Sequence, residues 1–244
     1  MSLPSARPIA FNRRLRASWL EEGLRLRSEG IDDATWLERM EEAVKMETQG
    51  RDSVQKSMRY LRHIWTDAAG EDPLRAAAIA LYQASPDKKT STVLSWGMAI
   101  ATYPFLIEVA ATLGRMLRVQ SEVKLEQLLR KLTESHGEKE TVRRSGRYSL
   151  SLIQDLGFVE RSSPGCYRLL PPIQIQDAAI SSWLLRAWFR ATGQAESVDR
   201  VALSSNPGLA FFDANSLVSD GLRTETLAME RLSYSQDSVR LVGV

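Results

Sequence analysis

The chain is poor in the side chains that form disulfides and metal sites. Its 244 residues include one cysteine, Cys166, and two histidines, His63 and His136. A single thiol excludes an internal disulfide and a multi-cysteine zinc site, and two distant histidines without a neighbouring cysteine lack metal-ligand spacing. We therefore expect no metal and no cofactor. The low cysteine content is typical of a reducing, cytoplasmic setting.

Short catalytic motifs are also missing. The sequence contains no glycine-rich phosphate loop, no Gly-x-Ser-x-Gly elbow and no His-Glu-x-x-His helix. Carboxylate pairs such as Glu41-Glu42 fall on faces predicted to be exposed, where solvated charge is the ordinary state. We therefore expect a protein that is not an enzyme and takes no small-molecule substrate. A nuclease assembled from scattered acids and lysines is the alternative.

The chain has no long hydrophobic run that is free of polar residues. The most apolar stretch, residues 93–113, is interrupted by Ser95, Pro104 and Glu108, whereas a membrane-spanning helix needs about 20 predominantly apolar residues. Pro104 suits the first turn of a new helix. The stretch therefore predicts two buried core helices and no membrane association. The N-terminus also lacks the apolar region of a signal peptide.

What the chain does contain is typical of a globular, helical protein. It is 43% hydrophobic and 25% charged, and 32 Lys and Arg against 30 Asp and Glu leave a net charge of +2. Apolar residues recur at spacings of three and four, which predicts a mainly α fold. We expect an N-terminal helical bundle (1–86), apolar helices with a winged-helix-like unit (87–172), and a C-terminal helical region ending in a hairpin (173–244).

Charge alternates along the N-terminal region. Residues 32–47 predict an acidic helix with six carboxylates. Cations lie on both sides of this acidic helix. One group is in the N-terminal arm and the start of the first helix (Arg13, Arg14, Arg16), and the other is in the third helix (Lys56, Arg59, Arg62). Two readings stay open, since these cations can pair with the acidic helix inside a bundle or lie along a phosphate backbone. We favour internal pairing for the third helix and nucleic acid for the arm.

Residues 121–169 follow the order of a winged helix. A helix ending at His136-Gly137, a second helix over 138–156 that Gly157 stops, and two alternating runs around Ser162-Ser163-Pro164-Gly165 predict a helix-turn-helix followed by a β-hairpin. In such a unit the second helix enters the major groove of duplex DNA.

The second helix of this unit is basic along one face. Lys139, Arg143 and Arg147 recur every fourth residue, and Arg144 lies beside them. We expect the small side chains of this helix to permit close approach of a nucleic-acid backbone (Ser145, Gly146, Ser149). The predicted DNA-binding residues are Lys139, Arg143, Arg144 and Arg147, the hairpin residues Arg161 and Arg168, and the arm residues Arg13, Arg14 and Arg16. A solvated or protein-facing basic surface is the alternative.

Beyond Pro171-Pro172 the sequence again predicts helices followed by a hairpin. Apolar residues favour helices over 173–190 and 208–222, with a polar loop or weak helix between them. Residues 226–234 and 239–244 predict a terminal hairpin. A helical segment followed by a hairpin therefore occurs twice in the chain.

The layout resembles the BrxA family of BREX phage-defence systems over residues 10–235. The likeness is carried by Phe11-x-x-x-Leu15, a Ser-x-x-Lys-Ser-x-x-x-Leu stretch over 53–61, Pro104-Phe105-Leu106, and Thr141-Val142-Arg143-Arg144-Ser145 leading into Leu156-Gly157-Phe158-Val159. The resemblance implies a small, mainly helical, non-catalytic DNA-binding component of a multi-protein defence complex. It supplies no site signature, so the contact residues are inferred from charge and spacing alone.

Three functions follow from this sequence. The first is a DNA-binding accessory protein of phage defence, which binds double-stranded DNA and other proteins of the defence complex. The second is a winged-helix transcriptional regulator, which would dimerise on a palindromic operator. The third is an assembly adaptor that binds only proteins.

Overall fold

The fold is mainly helical, with 64% helix and 11% strand. The computed structural model describes residues 11–66, 72–194, 197–233 and 236–242. In chain order it contains α1 (Ala17–Ser28), α2 (Asp33–Glu47), α3 (Arg51–Trp65), α4 (Pro73–Ala84), α5 (Lys88–Thr102), α6 (Phe105–Leu117), β1 (Val123–Lys124), α7 (Leu125–His136), α8 (Glu140–Asp155), β2 (Val159–Ser163), β3 (Cys166–Leu169), α9 (Ala178–Thr192), β4 (Val198–Asp199), α10 (Arg200–Ser204), a 3₁₀ turn (Pro207–Leu209), α11 (Ala214–Gly221), β5 (Leu227–Ser233) and β6 (Gln236–Leu241). The predicted mainly α fold class is confirmed.

Aspartate side chains begin many of the helices. Asp32 accepts a hydrogen bond from the backbone of Thr35 at the start of α2, and Asp87 does the same for Thr90 at the start of α5. Asp72 caps α4, with Pro73 at its first position. Each carboxylate satisfies a backbone N–H group that has no partner within its helix. The hydrogen bonds from Thr35 and Thr90 lower the pKa of Asp32 and of Asp87.

Helix α5 runs through the middle of the molecule. Its residues from Thr90 to Ala101 are all buried, and it packs against α1, α3, α4, α6 and α9. Among the described residues, no single helix has the length and hydropathy needed to cross a membrane. Helices α5 and α6 pass that test only when taken together, and they are bent by 113° to each other.

The elements from α6 to β3 form the first of two topologically similar units. After α6, strand β1 leads into the helix pair α7–α8 and then the antiparallel hairpin β2–β3. The three strands form a sheet in the order β1-β3-β2, with Val123 opposite Tyr167. Gly165, at φ +76°, turns the hairpin in a conformation that favours glycine.

The elements from α9 to β6 repeat that order. Strand β4 leads into α10, the 3₁₀ turn and α11, and the antiparallel hairpin β5–β6 follows. The sheet order is β4-β6-β5, which matches the first sheet strand for strand. A helix, a strand, a helical pair and a hairpin therefore occur twice, as residues 105–169 and 178–241. We call these the first and the second unit.

Two predicted helices differ from the structure. The helix predicted over 173–190 begins only at Ala178, because Ile173 instead forms a parallel bridge with Phe212. The helix predicted over 208–222 is divided into the 3₁₀ turn and α11, and Asp213 caps α11 through the backbone of Ser216. Both differences arise from contacts between residues distant in sequence, which local periodicity does not report.

One hydrophobic core joins all parts of the chain. Buried residues from Phe11 to Val239 belong to a single cluster. At its centre Trp96 of α5 packs edge-on against Phe158, which stacks on Phe211 with ring centroids 4.7 Å apart. The three rings connect α5, the end of the first unit and the interior of the second.

Candidate nucleic-acid interface

Helix α8 is amphipathic, and its outward face is basic. Val142, Leu150 and Ile153 are buried against the core, which turns the opposite side of the helix to solvent. On that side the side chains of Arg143, Arg144 and Arg147 are 32%, 50% and 44% exposed. Lys139, at the N-cap of α8, is exposed and forms no ion pair with any described residue. All four predicted cations of this helix therefore lie at the surface.

The small residues of α8 face inward, which corrects the role expected for them. Ser145 and Ser149 are buried. A Cβ atom added to Gly146 would lie 2.8 Å from a methyl group of Leu129 and 2.9 Å from one of Leu132. Gly146 is small because α7 and α8 pack closely, and since all three residues are buried, they do not offer a close approach to a nucleic-acid backbone.

Glu126, in the first turn of α7, pairs with two of the arginines. Its carboxylate accepts a short hydrogen bond from Arg143 and lies 3.6 Å from Arg147 Nη2. Arg144 Nη2 lies 3.7 Å from the carboxylate of Glu140. The three guanidinium groups thus face solvent but are partly neutralised. Sequence reasoning missed Glu126, and only its position on the preceding helix of the same unit hinted at this role.

The hairpin β2–β3 carries the two other predicted cations of this unit. Arg161 is exposed, and its Nε donates to the carbonyl of Ser163 at 3.3 Å. Arg168 is paired with Glu160 on the neighbouring strand, with Nε and Oε1 2.6 Å apart. The tip of the hairpin, residues 162–164, is exposed. Arg161 and the hydroxyl groups of the tip are therefore the hairpin groups open to a ligand.

The arm arginines are all paired within the chain. Arg13 pairs with Asp52 at 3.4 Å, Arg14 with Asp155 at 3.0 Å, and Arg16 with Glu47 at 2.9 Å. Only the Arg16 pair reaches α2, the acidic helix. Pairing with the acidic helix, one of the two readings left open by the sequence, thus applies to Arg16, whereas Arg13 and Arg14 pair with acids of α3 and α8. Their contact with DNA stays a prediction, and it would require these pairs to open.

In α3 the structure does not show the pairing with the acidic helix α2 that we favoured. Lys56 pairs with Asp52 of the same helix at 2.7 Å. Arg59 and Arg62 form no ion pair with any described residue, and neither do they reach the carboxylates of α2. The cations of α3 therefore do not neutralise the acidic helix beside it.

A four-residue segment before α1 links α3 to α8. Phe11 accepts a hydrogen bond from Ser145 of α8, with Oγ and the carbonyl oxygen 2.8 Å apart. The next residue, Asn12, exchanges hydrogen bonds with Tyr60 of α3 at 3.1 and 2.9 Å. Arg13 and Arg14 then bind α3 and α8 through the ion pairs given above. We call residues 11–14 the linking segment.

Within the ranges that the structure describes, no group of three or more His, Cys, Asp or Glu side chains is placed to hold a metal ion. A cavity of about 380 Å³ lies away from this surface, between α4 and α9, and is lined by Leu74 and Phe189. The available chemistry at α8 is hydrogen bonding and charge.

Known proteins offer no match. No protein-family model fits the chain, and neither curated proteins nor solved structures give a significant match. These comparisons therefore add nothing to the geometry and charge of the surface itself.

Proposed function

We propose that this chain is a non-catalytic DNA-binding component of a BREX-type phage-defence system, which binds duplex DNA through α8 and the β2–β3 hairpin. The observation that carries the proposal is the row of cations on the solvent face of α8: Lys139, Arg143, Arg144 and Arg147. Guanidinium and ammonium groups are the usual donors to phosphate oxygens and base edges.

The order of the elements supports a winged-helix interpretation of the first unit. Helix α6, strand β1, the pair α7–α8 and the hairpin β2–β3 follow one another, and the sheet order is β1-β3-β2. In a helix-turn-helix unit the second helix lies in the major groove. Here that helix is α8, and the hairpin beside it would contact the adjacent phosphates through Arg161 and the hydroxyl groups of its tip.

The ion pairs on α8 are compatible with DNA binding because they cost little to exchange. Pairs between exposed side chains contribute about 0–1 kcal/mol each. A duplex presents one negative charge about every 1.7 Å along its axis, and binding it releases condensed counterions. Phosphates therefore compete well with Glu126 and Glu140 for the same guanidinium groups.

The defence role rests on the resemblance to the BrxA family described above, and the DNA-binding role rests on α8. The two parts separate experimentally. If the chain does not bind DNA, the DNA-binding role is wrong and the defence role stands. If it binds DNA but has no defence phenotype, the defence role is wrong and the DNA-binding role stands.

The direct test is binding of the purified chain to unrelated duplexes of about 25 base pairs. With about four phosphate contacts, affinity should fall about 100-fold between about 50 and 200 mM salt. Reversal of Arg143, Arg144 and Arg147 to Glu should abolish the gel shift, with circular dichroism confirming the helical fold. Unchanged binding by this variant would exclude α8 as the contact surface. Strong preference for one palindromic site would favour a transcriptional regulator, and absence of binding at low salt a protein-only adaptor.

A further inference from the structure

Helix α3 has an outward stripe of cations that the proposed site does not include. Its buried residues, Val54, Met58, Leu61, Ile64 and Trp65, point toward the core. On the opposite side Arg51, Gln55, Arg59 and Arg62 follow one another at spacings of four, four and three, so that they share one face. Arg51, Arg59 and Arg62 are exposed. We call Arg51, Lys56, Arg59 and Arg62 the α3 ridge.

Little negative charge opposes this ridge. The only acid on α3 is Asp52, and it already binds Lys56 at 2.7 Å and Arg13 at 3.4 Å. The hydrogen bond from Lys56 lowers the pKa of Asp52, so that the carboxylate stays ionised. Arg51, Arg59 and Arg62 form no ion pair in the part of the chain that the structure describes.

The neighbouring acidic helix makes this arrangement informative. Helix α2 packs against α3, yet the three α2 carboxylates that form ion pairs bind cations outside α3. Glu41 pairs with Lys45 of the same helix, and Glu47 pairs with Arg16 of the arm. The acidic helix α2 and the basic helix α3 therefore lie side by side without an ion pair between them among the described residues. The cations of α3 remain available to an external polyanion.

The linking segment sets the position of the ridge relative to α8. Along this segment the contacts on α8 progress from Ser145 to Asp155, whereas those on α3 progress from Tyr60 back to Asp52. The two helices therefore run antiparallel to each other on either side of the linking segment. Because the consecutive residues Phe11 and Asn12 bind Ser145 of α8 and Tyr60 of α3, the N-terminal half of α8 and the C-terminal half of α3 meet at the same point of the linking segment.

We propose that the α3 ridge is a second phosphate-binding surface, which contacts the backbone of the same DNA duplex that α8 engages; this inference rests on the proposed function. From Arg51 to Arg62 the helix rises about 16 Å. Over that length one strand of a duplex advances by about five phosphates, at an axial rise of about 3.4 Å each. Apart from Gln55, the side chains on this face of α3 are guanidinium groups, which are the usual donors to phosphate oxygens, so we expect its contribution to depend little on DNA sequence.

The test compares salt dependence of binding between matched variants. Arg51→Gln, Arg59→Gln and Arg62→Gln are combined in one chain, and fluorescence anisotropy with labelled duplexes of about 25 base pairs measures affinity over a series of salt concentrations. We expect a loss of about 10- to 30-fold at low salt, a salt slope reduced by about two to three, and the same loss on unrelated sequences. The control is Arg39→Gln with Lys45→Gln on α2, which removes exposed charge from the adjacent helix and should leave affinity within about twofold.

A charge-retaining variant guards against a purely structural effect. Replacement of the same three arginines by lysine preserves the phosphate contacts and should keep most of the affinity. If the glutamine variant binds like the wild type while reversal of the α8 arginines abolishes binding, the ridge is not a contact surface and the proposed function stands. If the wild type binds no duplex at low salt, both proposals fail. Equal losses in the glutamine and lysine variants would also overturn the inference, since charge would then not be the cause.

Discussion

The two units of this chain share a topology and differ in the surface that it presents. In the first unit the second helix, α8, has 16 residues and presents three arginines, with Lys139 at its N-cap. In the second unit the corresponding helix, α11, has 8 residues and no lysine or arginine, and its exposed side chains are Asn215 and Ser219. The same order of strands and helices thus supports one basic face and one neutral face. Topology alone therefore does not predict a DNA-binding surface, and the proposal of DNA binding rests on the charge of α8.

The first prediction compares two variants that lose the same positive charge from different units. Lys139→Gln, Arg144→Gln and Arg147→Gln together should weaken duplex binding about 100-fold at low salt, because about three phosphate contacts are lost. Arg200→Gln, Arg223→Gln and Arg240→Gln remove the same charge from the second unit and should change affinity by no more than about twofold. Anisotropy titrations measure both. Similar losses in the two variants would mean that net charge, and not α8, controls binding.

The second prediction concerns how tightly each unit is packed. Gly97 of α5 contacts the ring of Trp183 on α9, the first helix of the second unit, so closely that an added Cβ would overlap the rigid ring. Gly97→Ala should therefore lower the free energy of unfolding by about 2 kcal/mol.

Gly146 is the matched control for that substitution within the first unit. An added Cβ there would meet only the flexible ends of Leu129 and Leu132, and the gain in helix propensity of about 1 kcal/mol offsets the crowding. Gly146→Ala should stay within about 1 kcal/mol of the wild type. Denaturant unfolding measures both, and equal effects would contradict the distinction between ring and methyl contacts.

The third prediction concerns Glu126, the acid that pairs with Arg143 and Arg147 of α8. Glu126→Gln frees Arg143 and Arg147 and removes a negative charge facing the duplex, so affinity should rise about fivefold at low salt, with a smaller gain at high salt. Asp220→Asn removes the corresponding partner of Arg223 in the second unit and should leave affinity unchanged. A decrease in affinity on Glu126→Gln would show that this carboxylate positions the arginines for binding.

The smallest effect is expected where the second unit is tied to the N-terminal helices. Burial raises the pKa of Asp72, but the hydrogen bonds and charge of Arg190 outweigh it and hold that pKa below its usual value. A carboxylate with a lowered pKa stabilises the fold above its unfolded pKa of about 3.9 and loses that contribution as pH falls. Asp72→Asn keeps the helix cap and removes the ion pair, so it should cost about 0.5–1 kcal/mol at pH 7.

The pH profile of this variant identifies the cause. The difference from wild type should shrink as pH falls below the unfolded pKa of about 3.9 and through the lowered pKa of the folded state, and DNA affinity should not change. A difference in unfolding free energy that persists in acid would assign the loss to packing and not to charge.

Local signals predicted much of the helical order. Pro73, Gly137 and Gly157 mark helix boundaries in the sequence, and the structure has a helix beginning or ending at or next to each of them. These residues act through their own backbone, so their effect is readable without tertiary contacts. The hairpin turn at Gly165 belongs to the same class.

What the sequence could not predict depends on partners far along the chain. The acid that binds Arg14 is Asp155, 141 residues away. Ile173, in the segment before α9, forms a β-bridge with Phe212 instead of starting a helix. For the candidate site, spacing placed the α8 cations on one face correctly. It could not predict that Ser145 and Gly146 face α7 and the linking segment, since a small residue on a helix suits either close packing or close approach of a ligand.

The linking segment has a consequence for how the molecule is assembled during synthesis. Phe11 and Ser145 are separated by 134 residues, so Phe11 cannot meet its partner on α8 until those residues have been synthesised. Contacts of such high sequence separation form late and slowly. The linking segment and α8 therefore close on each other late in folding, and under the proposed function we expect a chain in which these two segments have not closed to bind nucleic acid poorly.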